Sequence, residues 1–135
     1  MNNRGFTLVE VIAVIAIIGI LLSIVVVAVT KNTADSKKQA YEAMETSIYN
    51  AANNYVIEEN SVQDDLNNNN VQIPVDQLLD NNYLDRLVDP NHGECTNDSY
   101  VRVSKNTSNG LDEYKYYVHL ECSSGYKNDR IFPEN

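Results

Sequence analysis

The sequence predicts an α+β protein: a long N-terminal α-helix packed on a small antiparallel β-sheet, closed by one disulfide. Three observations predict it. An apolar run from Phe6 to Val29 leads into an amphipathic stretch, two period-two segments flank an Asn-Gly turn, and the only cysteines, Cys95 and Cys122, sit symmetrically about that turn. A chain of 135 residues has room for one compact domain plus a tail or anchor.

The apolar run comes first. Phe6 to Val29 is 24 residues without Pro, Asn, Lys or Arg. As a helix rising about 1.5 Å per residue it covers roughly 36 Å, enough for a bilayer core of about 30 Å. A plain signal anchor and a cleavable secretory signal are the simplest readings. The run exceeds an ordinary secretory h-region, its basic flank is only Arg4 plus the amino terminus, and Val26-Val27-Ala28 is not an Ala-x-Ala site. Glu10 argues against a plain anchor. A carboxylate within an apolar span costs several kcal/mol unless it is paired or interfacial, so it needs a cation.

Gly5-Phe6-Thr7-Leu8-Val9-Glu10, followed by Val11-Ile12-Ala13-Val14-Ile15-Ala16-Ile17-Ile18-Gly19-Ile20-Leu21, resembles the leader junction and helix of type IV pilins and their pseudopilin relatives. The resemblance covers Arg4 to Ser23, and the order of elements beyond follows it more loosely. It implies the type IV pilin fold, with residues 1–5 as prepilin leader, 6–29 as transmembrane and filament-core helix, and 30–135 as exported head. It implies that a prepilin peptidase cuts between Gly5 and Phe6, that the new Phe6 amine is methylated, and that Glu10 guides assembly. Cleavage would then supply the missing cation: the Phe6 ammonium of a neighbouring subunit pairs with Glu10, so neither charge is buried alone. The partners implied are the chain itself as a helical homopolymer, the peptidase, the pilus assembly platform, and the membrane before assembly. The localisation implied is a single-pass membrane protein that becomes an extracellular pilus. Many family members carry a proline late in the run, where this chain has Val27, so the kink that proline provides is missing. Gly19 is then either a weak point where the helix stretches or a site of close helix packing.

Beyond Lys31, Tyr41, Met44, Ile48, Ala52 and Tyr55 form one helical stripe, with Lys37, Lys38, Glu42, Glu45, Asn50, Asn53 and Asn54 on the wetted side. The helix is expected to bend within Thr30 to Ser36 and to fade between Glu58 and Ser61. Gln63 to Gln72, with its run of four asparagines, reads as a loop. Asp64 and Asp65 could recruit calcium, but they lack the spacing and glycine of an EF-hand, and no metal site is assigned. Pro74 opens a short second helix, and Leu78, Leu79, Leu84 and Leu87 dock it.

Tyr100–Ser104 and Tyr114–Cys122 alternate in period two about Asn106-Thr107-Ser108-Asn109-Gly110. A turn centred near Ser108 and Asn109 leaves Cys95 and Cys122 each 13 residues outward, and puts Val101 and Val103 on the face of Tyr114, Tyr116, Val118, Leu120 and Cys122. Both patterns favour a disulfide at the open end of a hairpin, worth roughly 3 kcal/mol in the chain-entropy model. Two buried free thiols are the alternative. Tyr126, Ile131 and Phe132 add a third strand or a strap.

The formal net charge is −9, and without Arg4 it is −10, from 9 basic against 19 acidic side chains. Nucleic-acid binding by the head is therefore not expected unless basic residues cluster. Two cysteines and two isolated histidines, His92 and His119, make a poor zinc set. No phosphate-binding glycine loop and no hydrolase motif occurs, so neither catalytic residues nor cofactors are expected. The readings that remain are a major pilus subunit, a minor pilin or pseudopilin of a type II secretion or DNA-uptake machine, and a membrane-anchored surface binding protein that never polymerises.

Overall fold

The computed structural model describes residues 5–67 and 70–134, and for residues 24–32 the backbone alone. In chain order it contains α1 (Leu8–Glu58), α2 (Asn60–Leu66), β1 (Val71–Pro74), α3 (Val75–Asp80), β2 (Tyr100–Ser108), β3 (Leu111–Glu121) and β4 (Lys127–Phe132). The chain divides into two compact units, Met1–Gln39 and Ala40–Asn135.

α1 begins where Thr7 caps it. The Thr7 hydroxyl accepts from the Glu10 N–H at 3.3 Å, and the Thr7 carbonyl accepts from Glu10 and Val11 at 3.1 and 3.2 Å. The helical backbone is unbroken through Thr30 to Ser36, where the sequence places a bend. It stops at Glu58 because Glu59 turns extended, and the Gln63 amide donates to the carbonyls of Val56 and Ile57, 3.0 Å each.

From Ala40 onward the expected stripe is buried, with Tyr41, Ile48, Ala52 and Tyr55 fully inside and Met44 packed at its margin. Glu45 is a correction. It is 0% exposed rather than wetted, because Asn128 donates to it at 2.6 Å and the Arg130 guanidinium lies 3.5 Å away. Asn53 is likewise half-buried, accepting from the Tyr116 hydroxyl at 2.8 Å.

The sheet is antiparallel in the order β1-β2-β3-β4. Its inner face presents Ile73, Val101, Val103, Tyr116, Val118, Leu120 and Phe132 to the core, and Tyr49 of α1 stacks on Phe132. The hairpin register differs from the expected one by two. Ser108 pairs with Leu111, so the two-residue turn is Asn109-Gly110, both at positive φ (56° and 78°). Val101 therefore faces Val118, not Tyr116. An even slip leaves every side chain on its predicted face, since the strand period is two.

Two elements lie where a loop was expected. α2 forms on the i, i+4 pair Val62 and Leu66, both buried, and β1 adds an edge strand to β2, ending at Pro74, where a missing N–H is tolerated. α3 follows, burying Val75 and Leu78. β4 is the expected third strand of the tail. Cys95 and Cys122 are bonded at 2.03 Å, so neither is a free thiol. Under the observed register they join a loop to the end of β3; they do not face one another across the hairpin.

Candidate functional site

The candidate site is the start of α1. The Gly5–Phe6 bond precedes the first helical residue, Leu8, and both its residues are exposed, Phe6 at 79%. A protease needs backbone outside regular structure, and this peptide meets that need. Met1–Arg4, the rest of the predicted leader, lie outside the described residues.

Glu10 occupies the third helical position, where the unsatisfied N–H groups and the helix dipole favour a carboxylate. Among the described residues no cation lies within ion-pair distance of it. It edges a shallow apolar groove with Phe6, Val11, Val14 and Ile15. Every apolar side chain from Phe6 to Leu22 is exposed, Leu8 at 78% and Val9 at 75%. A Cβ on Gly19 would meet nothing within 4 Å, so no contact among the described residues requires that glycine. Among the described residues no helix is long and apolar enough to cross a membrane. The side chains of 24–29, which the sequence counts within the span, lie outside the described residues.

In the head, the Cys95–Cys122 bond lies beside Asp89. This buried carboxylate accepts from the Tyr41 hydroxyl (2.8 Å), the Asn91 N–H (2.8 Å) and the Ser124 N–H (3.1 Å). Burial pushes its pKa up, but hydrogen bonds from Ser124, Asn91 and Tyr41 outweigh burial and hold it down to about 2. Asp89 and the two sulfurs form the only cluster of metal-ligating atoms among the described residues, and the disulfide removes both thiolates from it. Asp64 and Asp65 join no such cluster. His92 is exposed. His119 stands on the outer sheet face, donating to Asp129 at 2.5 Å with Glu121 at 3.4 Å.

Residues 1–26 match the family model of the prokaryotic N-terminal methylation motif. That motif is the class III leader signal of type IV pilins; it covers the N-terminal segment alone and, beside this α+β architecture, supports a type IV pilin-like or pseudopilin protein. No curated protein and no solved structure matches the chain. The leader implies processing by a prepilin peptidase, membrane anchoring and then pilus assembly in general terms. The sequence pattern singled out Gly5, Phe6 and Glu10 at the start of α1, and it paired Cys95 with Cys122, which the structure joins. It missed Asp89 and Glu45, whose partners, Asn91 apart, lie tens of residues away along the chain.

Proposed function

We propose that this chain is a structural subunit of a type IV pilus, polymerising after cleavage between Gly5 and Phe6 through its N-terminal helix. The observation that carries the reading is the start of α1: an apolar surface open on all sides that holds one carboxylate, Glu10, without a described cation. Apolar area of this kind is stable only in lipid or against other subunits. Each buried Leu or Ile side chain contributes about 1.5–3 kcal/mol, so the helices supply cohesion. The methylated Phe6 ammonium of a neighbour supplies the ion partner and with it the axial register.

The test is the intact mass and N-terminal sequence of the chain from its native cells, followed by Glu10→Ala. The expected result is a chain beginning at methylated Phe6, fibres at the cell surface, and a Glu10→Ala protein that inserts in the membrane but yields no fibres. A chain still beginning at Met1, or a Glu10→Ala chain that assembles like the wild type, rules the reading out. Processed chain confined to scarce, short fibres assigns it instead to the minor pilins or pseudopilins.

A further inference from the structure

The outer face of the sheet carries an aromatic ladder with charges of both signs, Arg102, Lys115 and Lys127 beside Glu113, Glu121 and Asp129. Arg102 pairs across the strands with Tyr117 and Tyr117 with Ile131; in the next row Tyr100 pairs with His119 and His119 with Asp129. The Arg102 guanidinium lies 5.8 Å from the ring centroids of both Tyr100 and Tyr117, and Tyr100 stacks on His119 at 4.8 Å. Lys115 follows two residues before Tyr117 on the same face, and both cations are exposed. Lys105, Lys127 and Arg130 each have a carboxylate partner. Arg102 and Lys115 have none among the described residues.

The opposite charge is gathered elsewhere on the same unit. From Glu58 to Asp85 the chain holds seven carboxylates and no basic side chain. Glu58 ends α1, and the other six belong to α2, α3 and their flanking turns, beside β1 at the edge of the sheet. Asp64, Asp65, Asp76, Asp80 and Asp85 are all exposed, and none has a cation partner among the described residues.

We propose that the Arg102–Lys115 sheet face of one subunit docks on the acidic α2–α3 edge of a second copy of this chain. The inference rests on the polymerising reading above and adds to it a head-to-head contact between subunits. The two patches differ, so the contact is heterologous and propagates along an assembly instead of closing a dimer. The Arg102 guanidinium lies over the rings of Tyr100 and Tyr117, and its planar fork suits a carboxylate partner. Such a contact orients neighbouring heads and weakens with salt.

Zero-length carbodiimide coupling tests this on fibres grown from mixed heavy-nitrogen-labelled and unlabelled chain. The expected product is a labelled–unlabelled hybrid peptide joining the Lys115 amine to a carboxylate between Glu58 and Asp85. The exposed double variant Arg102→Glu, Lys115→Glu should cut fibre yield by roughly tenfold at low ionic strength, and high salt should bring the wild type toward the same level. If Lys115 couples only within its own copy or to carboxylates elsewhere, or if the variant assembles like the wild type, the docking is overturned while the fibre reading stands. A chain that is never processed and gives no hybrid peptides overturns both.

Discussion

At the residue scale, Glu45 and Asp89 are acids that a core accepts only with partners. Glu45 sits at stripe spacing, four residues after Tyr41 and three before Ile48, but its polarity alone places it in water. What lets it enter is β4, which brings Asn128 and Arg130 to its two oxygens. Glu45→Ala should strand both and lower the unfolding free energy by about 3 kcal/mol, read by urea denaturation of the detergent-solubilised chain. Glu45→Gln, which keeps an acceptor for Asn128, should cost less. Asp89 gives a pH signature. Its folded pKa of about 2 lies below the ordinary aspartate value, so its stabilisation is complete above pH of about 4. That contribution is lost as pH falls from about 4 toward 2, and Asp89→Asn should remove this part of the acid dependence from a thermal-melt series.

At the scale of elements, the hairpin shows how a sequence pattern succeeds and slips together. Period-two alternation put the correct side chains inside, and Asn-Gly announced the turn, but the five-residue turn cluster left its centre open by one position. Backbone conformation decided it: Asn109 and Gly110 both take positive φ, which a two-residue hairpin turn demands. Gly110→Val should therefore destabilise the head by about 1–2 kcal/mol, visible as a lowered denaturation midpoint, whereas Leu111→Ser beside it, at an exposed position, should change little. α2 and β1 escaped the loop reading because each is short and the asparagine run between them dominates the composition. The signal that could have found α2 was the Val62–Leu66 spacing, confirmed by burial of both side chains.

At the scale of the whole molecule, an apolar helix start and an acidic head serve different solvents. The bond between Cys95 and Cys122, 27 residues apart, ties a loop to the end of β3. Cys122→Ser, or full reduction, should lower head stability by about 3–4 kcal/mol by loss of chain-entropy restriction. Denaturation with and without reductant measures it. The tyrosines also act at this scale. Tyr41 stacks on Tyr126 at 3.6 Å and Tyr49 on Phe132 at 4.7 Å, fastening the tail segment to α1.

By itself the sequence determined the α+β fold class, the N-terminal methylation motif, the buried stripe from Tyr41, the faces of the hairpin, and the cysteine pair. Those features are written in local periodicity and in short motifs, where neighbouring residues carry the whole signal. Only the tertiary structure decided the hairpin register, the fourth strand, the burial of Glu45, the low pKa of Asp89, and the placement of Arg102 and Lys115 together on the outer sheet face. Each of these depends on groups distant in sequence meeting in space, and the free energy of a buried charge or a strand pair belongs to the pair.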